Sequence, residues 1–490
     1  MVIELCYVNL LIFTTFLVSN HEKYSNDMNY KTRLYYTESI VYCDHCDHCF
    51  KMGIHHQWPR EWREEGDEFI AEHVKCKTIF IDAQILLMKS HVKETDTTWR
   101  EFVMRNFSQA VSRYHAKSDT VILSFDNYDN VPIFKSIEQN RRINSNKTSF
   151  NFKNGENLPN RPPDQNIWVQ ALQNRAFKSN IISLIATLMT SEYNPPRKGT
   201  TMIIDFVNCV RIDYKTQGQE RSVMPTMNAM GESDVKFMRY IEMFHDIVVD
   251  SIDSDVLLIA LLYKSKYPNS GNIYVKRYKI NLKSDEDKKN SDKKRKLIDH
   301  KQSKEYELIN IEILKNMLHL SMKQAIGIGH IQCDQHFTHI LVFMILLCGC
   351  DYSRKLPRVG VRSVWDNMHI IIPALLRCTQ YDTNSSHFSV DVDLCINTLM
   401  VDIYSHVYNK HVKQPEPCIK MVLQDLQNSK LSDKVKNEMP TYFSLDSTIR
   451  NIQWVVNYWG LENSDPLCDF NGSDGFALHN NKVVFADSIL

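Results

Sequence analysis

The chain has 490 residues, carries 58 Lys+Arg against 58 Asp+Glu for a formal net charge of zero, and is 43% hydrophobic. That length corresponds to roughly two to four domains with a sizeable core. The apolar content excludes a disordered or fibrous chain, and the charge balance excludes a strongly basic binder of the histone or ribosomal kind.

The 13 cysteines are scattered apart from one N-terminal cluster, which fits a reduced intracellular protein better than a disulfide scaffold. Residues 1–75 read as a polar extension. Within it, Leu10 to Val18 is apolar but too short to span a bilayer, and Glu4 rather than a basic residue precedes it. It fits either a cleaved signal or an ordinary buried segment. Cys43, Cys46 and Cys49 with His55 supply three thiols and an imidazole, the donors of a tetrahedral structural Zn2+. No second ligand pair follows at finger spacing, so unligated thiols are the competing reading.

From Cys76 the pattern is α/β. Short β-branched runs alternate with helical stretches: Thr78–Asp82, Thr120–Asp126, Thr201–Asp205, Ile247–Val249 and Ile273–Val275. Continuous apolar strands separated by helices predict a mainly parallel sheet covered on both faces. Several of these strands end in Asp, at the carboxyl edge where open α/β sheets collect ligands.

A polar stretch spans 144–163. Asp164 is placed to cap a helix whose apolar side is Ile167, Trp168, Leu172, Ile181, Ile185 and Met189. A second polar insertion, 283–307, contains Lys293-Lys-Arg-Lys296, which reads as a solvated loop or as a nuclear-import signal. Cys333, His336 and His339 share helical spacing amid apolar residues and are expected to be packed. Beyond Asp351 the pattern is helical. The expected organisation is therefore 1–75 extension, 76–350 α/β core with insertions at 143–200 and 283–307, and 351–490 helical region.

Acidic residues recur where a core would not choose them. Asp82 and Asp126 follow strands, Glu232 and Asp234 open a helix, Asp253 and Asp255 follow a strand, and Asp351 lies at a turn in Gly349-Cys-Asp-Tyr352. Singly, each is good cap or turn chemistry. Together, Ile81-Asp82-Ala83, Phe125-Asp126, Glu232-Ser-Asp234, Asp253-Ser-Asp255, Gly349-Cys-Asp-Tyr352 and Leu356-Pro-Arg-Val-Gly360 resemble, in kind and order, the motifs of the flap endonuclease/XPG family of structure-specific 5′ nucleases. The resemblance covers about residues 76 to 370.

The resemblance implies a PIN-like core followed by a helix–turn–helix that holds duplex DNA, and a hydrolase using two Mg2+ or Mn2+ ions. Carboxylates crowded together would otherwise repel and take up protons. Asp82, Asp126, Glu232 and Asp234 would serve one ion, and Asp253, Asp255 and Asp351 the other. Lys135 and Arg142, seven apart on one helix face, would steady the scissile phosphate, with Arg141 beside them. Arg354, Lys355, Arg358, Gly360 and Arg362 would contact the nucleic-acid backbone, where contacts carry no sequence information.

The implied partner is DNA, with RNA as the alternative, recognised by structure more than sequence. The protein would be a nuclear or otherwise intracellular monomer that does not engage a membrane. A 5′–3′ exonuclease and a non-catalytic binding scaffold are the competing functions. Two positions depart from the family pattern: a long extension precedes Asp82, and Met88 stands where a base-stacking Tyr is frequent.

Overall fold

A computed structural model describes residues 77–126, 150–224, 231–251, 253, 255–278, 306–326, 333–350, 353, 356–408 and 418–460, with two short antiparallel strand pairs, 36–37 with 40–41 and 476–479 with 482–485. The chain divides into two compact units, Met1–Glu65 and Gly66–Leu490. The first strand pair lies in the former and the whole central sheet in the latter.

The sheet begins with β1 (Thr78–Asp82), which leads into helix α1 (Ala83–Lys89). Helix α2 (Trp99–Val103), a π-helical turn (Met104–Ser108) and α3 (Gln109–His115) connect to β2 (Thr120–Ser124). Helices α4 (Gln165–Ala171) and α5 (Arg175–Glu192) precede β3 (Thr200–Asp205), which continues into β4 (Cys209–Lys215) and β5 (Gly218–Met224). Helix α6 (Ser233–Phe244), β6 (Ile247–Asp250), α7 (Asp255–Lys266), β7 (Ile273–Tyr278) and β8 (Tyr306–Asn310) complete the sheet.

The eight strands lie in the order β8-β7-β6-β1-β2-β3-β4-β5. The inner five, β7 to β3, are parallel, and β4, β5 and β8 add antiparallel edges. This is the expected α/β class: a mostly parallel sheet flanked by helices. Parallel strands need crossovers, and the sequences TIFID, TVILS and TTMIID are apolar on both sides because both sheet faces are covered.

Alternation along β1 shows the two layers. Ile81 belongs to a core of Trp99, Phe102, Trp168, Phe177 and Ile185 from α2, α4 and α5. Phe80 instead meets Phe237 and Tyr240 of α6, with ring centroids 6.2 and 5.8 Å away. At about 25 cal/mol per Å2 of apolar surface removed from water, each such fully buried aromatic contributes several kcal/mol before chain entropy is counted.

Three local expectations change. The helix expected from Asp164 onward is two helices, α4 and α5, broken near Asn174, which N-caps α5 by accepting from the Phe177 amide at 3.0 Å. Asp164 sits at the N-cap of α4 but makes no side-chain cap bond, and Ile167 is exposed rather than buried. The β4–β5 hairpin is additional; β5 is exposed along nearly its whole length, so it carries no apolar period to read.

Beyond the sheet, α8 (Ile311–Ile326), α9 (Asp334–Leu346) and α16 (Tyr442–Gly460) gather around α7. Between α9 and α16 lie α10 (Val361–Asp366), α11 (Met368–Cys378), a hairpin of β9 (Thr379–Asp382) and β10 (His387–Val390), α12 (Val392–Cys395), a second π-helical turn (Ile396–Met400), α13 (Val401–Val407), α14 (Ile419–Gln427) and α15 (Asp433–Asn437). A helical region is thus present after 351 as expected, but with two strand pairs that the helical pattern does not announce: β9–β10, which Asn457 pins by bonding the Phe388 amide and carbonyl at 2.8 and 2.7 Å, and Phe476–His479 with Lys482–Phe485. His339 is packed as expected, stacked on Phe388, and His336 bonds Thr379 Oγ1 at 2.9 Å. No helix among the described residues is long and apolar enough to cross a membrane.

Candidate functional site

The chain runs outward from β1 through β2 to β3, then returns to the other side of β1 with β6 and β7. The carboxyl ends of β1 and β6 therefore flank the point where strand order reverses, the place where ligands bind in open α/β sheets. Pairing aligns Asp82 with Ser124 and Ser124 with Asp205, so three neighbouring strands finish at one level.

Asp82 is nearly buried and caps α1, accepting the Gln84 amide at 2.9 Å. Burial pushes its carboxyl up to about 8, and the charges of Asp126 and Asp253 push in the same direction. The Gln84 amide and the Lys178 ammonium oppose that rise. Carboxylates from two other motifs thus act on Asp82 at the switch point.

Asp126 does a second job. Its Oδ1 accepts the Ser233 amide at 3.0 Å, so a carboxylate from the β2 end caps α6 from outside. Glu232, the N-cap residue, makes no side-chain cap bond of its own. Gly231, at φ 66, turns the chain into this helix through a conformation costly for residues with a Cβ. Glu232 and Asp234 are both buried here, and Asp126 bonds the amide between them.

After β6, Ser251 Oγ accepts the Asp253 amide at 3.1 Å and Asp253 Oδ1 accepts the Asp255 amide at 3.0 Å. That turn starts α7 and leaves Asp255 buried in its first turn. The structure therefore brings Asp126 and Asp253 within electrostatic reach of Asp82 and ties Asp126 to the Glu232–Asp234 segment. Among the described residues, no three His, Cys, Asp or Glu side chains already stand in a metal-holding group. The donors are nonetheless all oxygen, and burial and like charges oppose ionisation of Asp82. A hard divalent cation fits that donor set and would relieve the repulsion.

Several expected residues lie outside the described part. These are Asp351, Lys135, Arg141, Arg142, Arg354, Lys355 and the candidate zinc ligands Cys43, Cys46, Cys49 and His55; the side chain of Arg362 is also outside it. Of the expected backbone-contacting residues, Arg358 is exposed at φ 62 and ion-paired with Glu438 at 2.8 Å. Gly360 N-caps α10 with nothing within 4 Å of where a Cβ would stand, so the backbone there is open to approach. Met88, at the departing position, is 64% exposed on α1.

Two residues with a bearing on the site carry no motif. Lys178 lies on α5, in what reads as an ordinary amphipathic helix, and only the fold reveals that its charge reaches Asp82. Lys236, one turn beyond Glu232, is completely buried; it donates to the Phe125 carbonyl at 2.8 Å and to Asp205 Oδ1 at 3.3 Å. A Lys two positions after an acidic pair was the available signal, at a position buried on the sheet-facing side of α6.

No protein-family model matches this chain, and no curated protein matches it. Among solved structures it is similar to the catalytic core of Rad2 in complex with a DNA substrate, at 12% identity over 76% of this chain and 79% of that one, with a TM-score of 0.34. An overlap that loose leaves the reading of the site to the chain's own residues.

Proposed function

We propose that this protein is a divalent-cation-dependent, structure-specific 5′ nuclease that hydrolyses DNA phosphodiesters at flaps or branched ends. The observation that carries this reading is Asp82 at the end of β1, buried at the switch point of the sheet with Asp126 and Asp253 acting on it. A fold spends stability on such an arrangement where an external cation is to be bound. The order of acidic motifs, with its resemblance to flap endonucleases, supports the same reading.

Asp82, Asp126, Glu232 and Asp234 would hold one Mg2+ or Mn2+, and Asp253, Asp255 and Asp351 the second. Divalent ions held by these residues would supply Lewis acidity toward a phosphodiester and its attacking water. The chain's own contribution is placement. Ser233 fixes the Asp126 carboxylate through its amide, Asp253 is fixed by the turn it makes with Ser251 and Asp255, and Asp82 by its cap on α1. Lys178 adds positive charge on the α5 side. Lys135, Arg141 and Arg142 would face the scissile phosphate. Arg354, Lys355, Arg358 and Arg362, with the open backbone at Gly360, would hold the duplex by its phosphates. Such contacts weaken steeply with salt.

The test is incubation of the full chain with end-labelled flap, duplex, single-stranded and RNA substrates, with Mg2+ or with EDTA. Cleavage of the flapped duplex in Mg2+ alone is expected. Asp253→Asn should lower it by at least about 100-fold, given that metal contacts are worth several kcal/mol of transition-state stabilisation, while leaving substrate binding nearly intact. Unchanged cleavage by Asp253→Asn would overturn the mechanism. Binding without any Mg2+-dependent cleavage would make the protein a scaffold, and processive release of single nucleotides would make it a 5′–3′ exonuclease.

A further inference from the structure

We infer that Lys236 is a positioning residue for the acidic site, and that its buried ammonium sets how tightly Asp126 and the Glu232–Asp234 segment bind a divalent cation. This rests on the reading of that site as cation-binding.

Lys236 and Asp205 are both fully buried, and their side chains meet at 3.3 Å. Asp205 is also bonded by the Tyr240 hydroxyl at 2.8 Å, and Tyr240 in turn lies 3.4 Å from Cys209 Sγ. Burial and the Asp205 charge together raise the Tyr240 hydroxyl far above its ordinary range, so it stays a donor. A pair sequestered this completely contributes little net stability compared with apolar side chains of similar volume. What it contributes here is geometry.

The geometry concerns one peptide. The Phe125 amide donates to the Asp205 carbonyl at 2.9 Å, and the Phe125 carbonyl accepts from Lys236 Nζ at 2.8 Å. Phe125 is therefore held from both sides, and the next residue is Asp126. Lys236 also belongs to the first turn and a half of α6, where its amide bonds the Glu232 carbonyl at 3.3 Å. One side chain thus joins the strand end that carries Asp126 to the helix start that carries Glu232 and Asp234. The Ser233 amide to Asp126, and Ser233 Oγ to the Ser124 carbonyl at 3.3 Å, close the same junction. Groups that orient metal ligands in this way shift cation affinity by about 10- to 100-fold when removed.

Lys236→Met alone leaves the Asp205 carboxylate buried without its cation and is expected to lower Tm sharply. The informative variant is Lys236→Met with Asp205→Asn, which removes both charges. Its Tm should return close to that of the unaltered protein. Its Mn2+ dissociation constant by calorimetry should still rise by about tenfold, because the hold on the Phe125 carbonyl is gone. Turnover at saturating Mn2+ should fall less than affinity does.

Lys264→Met is the control for destabilisation as such. Lys264 is a second buried lysine, bonded to the Pro268 and Ser270 carbonyls at 3.0 and 2.7 Å. Its loss should lower Tm and leave Mn2+ affinity unchanged. A folded double variant that binds Mn2+ within about twofold of the unaltered protein overturns the role of Lys236 alone. An unaltered protein that binds no Mn2+ and cleaves nothing overturns the reading of the site itself, and the inference with it.

Discussion

Two strand ends lie one strand apart at the same level of the sheet, and each finishes in a buried aspartate. At the end of β3, Asp205 is met by the Lys236 ammonium and the Tyr240 hydroxyl inside the protein. At the end of β1, burial raises the proton affinity of Asp82, and the charges of Asp126 and Asp253 raise it further. The contrast teaches how differently one sheet sets two buried acids. The first meets an ammonium and a hydroxyl of the chain; the second is buried with like charges acting on it.

That contrast can be broken by substitution. Asp205→Asn strands the Lys236 charge in the interior and should cost roughly 3–5 kcal/mol of stability, measured by urea denaturation. Asp82→Asn should do the reverse. In EDTA at pH 7 it removes an acid held unfavourably, and stability should rise by at least about 1 kcal/mol while cleavage is lost. Equal losses from the two substitutions would end the distinction.

The pH dependence has opposite signs in two places. His115 accepts from the Tyr193 hydroxyl and donates to the Thr201 carbonyl, and burial lowers its imidazole to about 4. A depressed folded-state pKa contributes stability that is full above the ordinary value of 6.5 and lost as pH falls through about 4. Asp82, raised from 3.8 to about 8, contributes stability that is full below 3.8 and lost as pH rises through 8. The two windows overlap between about 4 and 6.5, where the slopes oppose and nearly cancel, so thermal scans in EDTA should be almost flat there and fall from 6.5 to 8, the alkaline flank. His115→Gln should extend that fall down through the flat range, and added Mn2+ should flatten the alkaline flank. The smallest effect expected is from Lys178→Met: losing its charge should raise the Asp82 carboxyl further, moving the midpoint of the alkaline flank upward in the same scans. No movement would place Lys178 outside the site.

The parallel strands were legible because an interior strand must be apolar on both faces, and TIFID, TVILS and TTMIID are. The carboxylate positions were legible because acids at strand ends and helix starts recur in one order. What escaped reading has physical reasons. β5 is solvent-exposed along its length, so hydrophobic patterning was absent. The break between α4 and α5 is set by the Asn174 cap rather than by any change of period. Lys178 and Lys236 owe their significance to neighbours more than 90 residues away in sequence, at Asp82 and Phe125. A lysine in an amphipathic helix defaults to the solvated face, and Lys236 departs from that default.

The placement of β1 fourth from one edge of the sheet, bonded to a parallel partner on each side, has a dynamic consequence. Fraying proceeds inward from edges such as β5, so the Phe80 and Ile81 amides should exchange with solvent hydrogen only in the rarest openings. The floor beneath Asp82 then outlasts most partial unfolding, and thermal loss of activity should follow the loops and helix starts that complete the site well before the strand that anchors it.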